Sequence, residues 1–494
     1  MPQLTRRRFL SDTAIASAVL AATSNAVSTV TNASAADSAT PANDKLNLML
    51  CGIGGRGRFL SKLIANNREC HIKYFCDVDE AIGHERLDEF EKLFHYRPQL
   101  IRDMRHGLDD KEIDAAVIST PNHWHALAGI WTMQAGKDVY VEKPVSHNIS
   151  EGQRLIEAVQ KYQQICQTGT HSRSLPGTIE AVDYVQSGKI GEVKLARALC
   201  YKRRGSIGSK GVYEPPKSVD YDLWVGPAEM QPLTRPRIHY DWHFQYHFGN
   251  GDINNQGVHE MDIARWALGI DSLCDSAISY GGRLGYEDAG DTANTQVSIC
   301  KSGDKTIVHE MRGLPSDPLM KAAIGNIFYG TEGVVVLTGW GTGFALDLDG
   351  KVVRKFNIGS KGALLGSEHI QNFVDAVKSR NPDDLNGNIR DGHLSAGLCH
   401  IASISYRLGK QTPVDQVQKA VQEFGGTDDN VETLQRTVAH LKGNGIDLAA
   451  TPMTLGPVLK IDTKAETFID NEAANAMLTR KYRKNFEVPK SGEV

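Results

Sequence analysis

Eight cysteines are spread through the chain, at Cys51, Cys70, Cys76, Cys166, Cys200, Cys274, Cys300 and Cys399, with no C-x-x-C pair among them. Several of these cysteines lie in apolar runs, where buried thiols are expected, and an oxidising destination would permit a disulfide that the sequence does not pair. A disulfide framework is not expected at this size. An excess of either charge is lacking too. The net charge is −4 and no long charge run occurs, so neither nucleic acid nor an anionic membrane surface is indicated as a partner. What remains, 494 residues at 40 % hydrophobic content, suits a globular protein of two or three domains with sizeable cores.

The first residues read as a leader. Thr5-Arg6-Arg7-Arg8-Phe9-Leu10 is a twin-arginine pattern, followed by an Ala-rich apolar stretch to about Val30 and a small-residue cleavage site at Ala33-Ser34-Ala35. The stretch is too short and too rich in Ser, Thr and Ala for a good membrane span. The expectation is a signal peptide over 1–36, a linker over 37–43, and a periplasmic or secreted mature form without membrane insertion.

What is present is a glycine loop in the right setting. The apolar run Leu46–Cys51 leads into Gly52-Ile53-Gly54-Gly55-Arg56-Gly57, and a helix is predicted over Arg58–Asn67. In a dinucleotide fold the first glycine makes the turn, the second admits the pyrophosphate, and the third lets helix and strand pack closely. The helix N-terminus then offers free N–H groups to phosphate. Asp77 ends the next apolar run, twenty residues beyond Gly57. An acid there binds a free ribose 2′-hydroxyl and repels a 2′-phosphate, which favours NAD over NADP. The competing reading is a structural glycine turn.

Strands predicted at Leu46–Cys51, Ile72–Cys76, Ala115–Ser119, Val139–Val141 and Ile165–Thr168 alternate with helices. This indicates a doubly wound parallel sheet over 44–168. From about Lys194 the pattern becomes consecutive strands with Gly and Asp-Gly turns, among them Thr306–Met311 and Val334–Leu337. The predicted fold is therefore a Rossmann domain plus an α/β substrate domain (169–410) on an open, largely antiparallel sheet. A C-terminal extension (411–494) follows, ending in a polar segment. Ligands in parallel sheets sit beyond the carboxyl ends of strands, which singles out Thr120, Pro121, Asn122 and His125 after one strand and Glu142 and Lys143 after another.

These motifs, with Gly257-Val258-His259-Glu260-Met261-Asp262, resemble the Gfo/Idh/MocA oxidoreductase family. The likeness is greatest to its secreted, twin-arginine-exported members, down to Phe486-Glu487-Val488-Pro489. The resemblance implies dehydrogenase chemistry on a sugar, polyol or sugar acid, with NAD held by the glycine loop, Asp77 and the residues after the later strands. It makes Lys143 the group that stabilises developing alkoxide charge and His259 the general acid/base. Many family dehydrogenases carry an aspartate four residues before this histidine, where this chain has Asn255. An amide can orient a sugar hydroxyl but cannot take a proton.

If helix geometry begins at the preceding turn, Asn255, His259, Asp262 and Trp266 share one face toward the crevice. For the substrate, the segment Tyr240–Asp252 combines aromatic faces with polar groups, naming Trp242, His243 and Asp252. His243 and His247 also have a spacing that could clamp a metal on a helix, against which the adjacent glycines argue. Arg203 within Tyr201–Arg204 is either a basic group for an acidic sugar or a solvated strand end. A redox-neutral NAD-containing glycosidase or epimerase, and a non-catalytic sugar-binding protein, are the rival functions. A homo-oligomer is compatible with an exposed sheet face.

Overall fold

A computed structural model describes residues 45–357 and 365–494. The predicted leader and linker lie outside the described residues. Six short strands, β1 (Leu46–Cys51), β2 (Cys70–Cys76), β3 (Gln99–Ile101), β4 (Ala115–Ile118), β5 (Asp138–Val141) and β6 (Cys166–Thr168), form a parallel sheet in the order β3-β2-β1-β4-β5-β6. β4 and β5 are buried along their whole length, as expected of strands covered on both faces. The order reverses between β1 and β4, and such a switch point opens a crevice at the strand ends. The helix after β1 spans Gly55–Ala65, starting inside the glycine loop and three residues earlier than expected. Helix Ile149–Tyr162 is capped by Asn148, which accepts from Glu151 N–H at 3.0 Å.

The second sheet runs β14-β13-β12-β11-β7-β10-β9-β8-β16-β15, with a side pair of strands on β8. Its members are β7 (Val193–Tyr201), β8 (Ser276–Gly282), β9 (Thr295–Ser302), β10 (Lys305–Arg312), β11 (Ile324–Gly330), β12 (Gly333–Gly339), β13 (Thr342–Asp347), β14 (Val352–Phe356), β15 (Lys410–Thr412) and β16 (Met453–Leu455). The side pair is β17 (Leu459–Asp462) and β18 (Thr467–Phe468). Among the described residues of this sheet, only the β7–β10 pair is parallel. Helices Gly257–Ala267 and Ile389–Arg407 lie between the two sheets, while Val414–Phe424 and Asn430–Gly443 share a separate apolar cluster with β8 and β9.

Two late segments return to the first domain. Helix Ser367–Ser379 packs Ile370, Phe373 and Val374 into the cluster that holds Leu48, Leu50 and Phe75. The final stretch, expected to be a polar end, is docked. Phe486 is 6 % exposed and sits edge-on to Trp124 at 5.6 Å, while Tyr482 Oη donates to Glu151 at 2.9 Å. All eight cysteines are buried and free.

Candidate active site

The strand ends of the first sheet deliver their following residues to one edge. Gly52 has φ +78°, and a Cβ there would lie 2.8 Å from Ser119 O; at Gly57 it would lie 1.9 Å from Gly52 O. Both positions therefore require glycine. Gly54 and Gly55 differ, because a Cβ on either meets nothing within 4 Å. They face a cavity of about 500 Å³ that runs past Arg56, Asp77, Thr120, Pro121, Asn122 and His125 to Glu142, Lys143 and Asn255. Ile53 is fully buried behind the loop. The Asp77 carboxylate accepts from Ile53 N–H at 2.9 Å and from Asp79 N–H at 3.0 Å. It braces the loop as well as facing the cavity, and burial pushes its pKa up.

At the other end, Glu142 is 3 % exposed and accepts from Arg56 Nε at 2.5 Å. Gly169 makes room for it, since a Cβ there would meet the Glu142 carboxyl at 2.7 Å. The Lys143 ammonium donates to Asn255 O at 2.6 Å, with Asn255 Oδ1 at 3.4 Å. Burial lowers its pKa to about 8, against the opposing pull of Glu142. His125 lies between Pro144 O (2.6 Å from Nδ1) and Thr120 O (2.8 Å from Nε2), tying the two strand-end turns together.

His259 is 4 % exposed. Its ring stands 5.0 Å from that of His171 and 6.2 Å from Trp340, and its Nδ1 has no hydrogen-bond partner. It is not in the cavity wall that Lys143 and Asn255 line. Burial first, and then the Lys143 charge, hold the imidazole well below its ordinary pKa and hence neutral. The expected shared face is not formed. The short helix Asp252–Asn255 stops before Gln256 and a second begins at Gly257. Asp262 turns into the core, accepting from Arg173 at 2.8 and 2.9 Å and from Ser395 at 2.7 Å, while Trp266 stacks on the Arg173 guanidinium.

Among the expected substrate residues, Trp242 and His243 stack at 3.6 Å and line the cavity. Asp252 and Arg203 do not. Asp252 is locked in a bidentate pair with Arg204 at 2.7 Å, and Arg203 is exposed. The neighbours on either side of Arg203 turn inward instead, Lys202 to Gln256 at 2.8 Å and Arg204 to Asp252. His247 is bound to Glu229 O at 2.7 Å and His243 to Tyr240 O, so the two imidazoles serve different partners. No group of three or more metal-ligating side chains is found among the described residues. Sequence reasoning passed over His171 and Trp340. The strand-end rule, already applied after β4 and β5, would have reached His171 after β6; Trp340, in the β12–β13 turn, carries no such signal.

Residues 46–170 match the model of an oxidoreductase family with an NAD-binding Rossmann fold, and residues 205–332 match that family's C-terminal alpha/beta domain. This chain belongs to the Gfo/Idh/MocA family. Among curated Gfo/Idh/MocA relatives, levoglucosan dehydrogenase of Pseudarthrobacter phenanthrenivorans is 26 % identical over 36 % of this chain and 38 % of its own length. An alpha-N-acetylgalactosaminidase of Shewanella oneidensis is 24 % identical over 31 % of this chain and 34 % of its own. The matches thus span about a third of these relatives. Solved structures agree in fold. Levoglucosan dehydrogenase with NADH and levoglucosan has a TM-score of 0.54 at 19 % identity, covering 73 % of this chain and 97 % of its own. Aldose-aldose oxidoreductase from Caulobacter crescentus, complexed with glycerol, has 0.56 at 14 %, covering 72 % and 97 %.

The residues present fit the family's nucleotide. Gly54 and Gly55 leave open space where a pyrophosphate needs close backbone approach. Thr120 Oγ1, on the cavity wall, is buried without a hydrogen-bond partner, and Asp77 lines the same cavity after β2, as the ribose-binding acid of a dinucleotide fold would.

Proposed function

We propose that this Gfo/Idh/MocA protein is an NAD-dependent oxidoreductase acting on a sugar, polyol or sugar derivative at a hydroxyl-bearing carbon. The observation that carries the reading is the Lys143 ammonium on the cavity wall, held at the Asn255 carbonyl at 2.6 Å with its pKa lowered to about 8, while His259, outside that wall, is held neutral. Burial shifts both groups, and it leaves one as a charged donor and the other as a base near neutral pH. When bound, NAD supplies the hydride acceptor. Lys143 Nζ donates to the reacting oxygen and favours its alkoxide character. The His259 imidazole accepts the hydroxyl proton and returns it in the reverse direction. Asn255 holds the ammonium in place through its carbonyl, and the stacked Trp242 and His243 offer an apolar face to the C–H side of a ring. Arg56 and Glu142 fix the turn from which Lys143 projects.

A second reading, a redox-neutral glycosidase or epimerase, is favoured by the glycosidase among the curated relatives. Product identification separates the two. The purified protein is offered a panel of free sugars and glycosides. A keto-sugar or lactone supports the dehydrogenase. Free sugar with no net change in nicotinamide absorbance supports the glycosidase, and binding without any product would sink both. Unchanged turnover in His259→Gln would remove the assigned base. We also propose twin-arginine export, supported by Arg6-Arg7-Arg8 and the Ala-rich stretch behind them; cell fractionation tests it.

A further inference from the structure

We infer that a second cavity, behind the turn that carries Lys143, binds a small oxyanion that still bears an O–H, of the size and shape of hydrogen phosphate. The cavity is about 70 Å³, room for about five heavy atoms. Its wall includes His147, Glu151, His247, Arg480 and Tyr482, none of which lines the candidate active-site cavity.

The docked tail brings the charge. Nε and Nη2 of Arg480 are buried without an acceptor among the described residues. Burial lowers the guanidinium's pKa, and a buried charge left without a partner is costly. The Tyr246 ring lies between two such cations, with Arg480 3.6 Å and Arg407 3.7 Å from its centre. That holds Arg480 in place over the ring. Its Nε and Nη2 form the edge that takes two oxygens of one oxyanion side by side.

The other polar groups choose among oxyanions. His147 Nε2 lies 3.1 and 3.2 Å from the Tyr246 and Gly249 carbonyls, and His247 Nε2 lies 2.7 Å from Glu229 O. Burial holds both imidazoles below their ordinary pKa. Each is therefore neutral with its proton on Nε2, and each Nδ1 is left as an acceptor. An acceptor serves only an anion with a proton to give, and sulfate has none. Glu151, the buried carboxyl on this wall, is already engaged. It accepts from His147 N–H and Asn148 Nδ2 at 2.7 Å each and from Tyr482 Oη at 2.9 Å. Burial raises its pKa to about 7, so it is only partly ionised at neutral pH. The exposed Glu229 and Lys481, 4.0 Å apart, offset each other.

The cavity is two hydrogen bonds from the chemistry. Asn250 Nδ2 donates to His147 O at 3.0 Å, and Asn122, on the active-site wall, donates to Asn250 Oδ1 at 2.8 Å. An oxyanion shared by Arg480 and His147 pins the tail to the turn that follows Lys143.

Isothermal titration calorimetry of the purified protein with inorganic phosphate at pH 7 and fixed ionic strength reads the site, with sulfate and glycerol phosphate as parallel arms. The expected result is saturable phosphate binding, with sulfate at least tenfold weaker. Glycerol phosphate binding as tightly as phosphate makes the occupant a phosphate group on a larger molecule, and weaker binding makes it the free ion; either supports the site. Arg480→Met removes the donors and keeps the stem over Tyr246. It should weaken phosphate at least tenfold, while any phosphate held at the glycine loop is unaffected. No saturable phosphate binding, sulfate as tight as phosphate, or undiminished binding in Arg480→Met overturns the inference. If that variant does not fold, crystals of the unaltered protein grown in phosphate without sulfate decide. Tetrahedral density within hydrogen-bond distance of Arg480 Nε and Nη2 upholds the site, and its absence overturns it.

Discussion

Replacing Lys143 by methionine should slow turnover sharply and yet stabilise the fold at neutral pH. Burial moves the Lys143 pKa from its ordinary 10.5 to about 8, which corresponds to about 3 kcal/mol by which the folded state disfavours the charge. Methionine removes that cost and keeps the length of the stem. It also leaves the Asn255 carbonyl without its ammonium donor, a loss of about 1 kcal/mol. The net gain is about 2 kcal/mol, or ~4 °C in Tm for domains of this size. The sign follows from linkage. Between about pH 8 and 10.5 the unfolded chain holds a proton that the folded chain has released, so the parent gains stability as pH rises through that window. The variant's advantage is therefore complete below pH 8 and absent above 10.5. Thermal unfolding of parent and variant at pH 7 and at pH 10.5 reads this directly, alongside a fall in kcat of about 10²- to 10³-fold. A variant less stable than its parent at pH 7 would refute the reasoning, because it would mean that the ammonium is a net structural asset.

Other substitutions probe neighbouring parts of the site. Gly54→Ala should fold with an unchanged Tm and fail to retain NAD, since its Cβ meets only the open cradle; Gly57→Ala, placing a Cβ 1.9 Å from Gly52 O, should lower Tm whether or not nucleotide is present. Asn255→Asp sets a carboxylate near the Lys143 ammonium, where the amide oxygen now lies at 3.4 Å. The alkaline limb of the kcat–pH profile, expected above about pH 8 in the parent from the lowered Lys143 pKa, should move upward by about one unit, and an unmoved limb would detach that limb from Lys143. Asp262→Asn, leaving the buried Arg173 guanidinium with Asp391 as its remaining carboxylate, should cost about 1–3 kcal/mol by denaturant unfolding.

The parallel sheet was legible because its central strands are apolar throughout and its ligand residues follow strand ends, a rule that needs no long-range information. The second sheet was legible in its long hairpin strands and obscure in β8, whose Ser276 and paired Gly281-Gly282 blur the alternation. β3, β15 and β16 are three residues each, too short for a period to show. At the site, Lys143 and Asn255 could be placed from their motifs, and so could Trp242 and His243. Of the two readings of Arg203, the exposed side chain agrees with the solvated strand end: past the end of β7, Lys202 and Arg204 face inward and Arg203 faces out. Asp252 and Asp262 failed for a reason of pairing. A carboxylate in a pocket-forming segment and one consumed by a distant arginine look alike until Arg204 and Arg173 are seen beside them. The contacts that tie the cavity-lining segment around His239 to the strand ends join residues far apart in the chain, such as Asp79 to His239, and no local pattern announces them.

The docked tail sets an order of events during synthesis. Trp124 and Trp131 belong to the first domain, yet the ring packed against both is Phe486, translated more than 350 residues later. Helix Ser367–Ser379 likewise supplies part of a core whose other members begin at Leu48. While the chain is still emerging from the ribosome, the nucleotide domain thus carries two unfilled apolar surfaces, the kind that chaperones hold and that aggregate when left bare. Its final closure waits for this distant segment to be made, so a product truncated before it would expose the very surfaces that the segment covers.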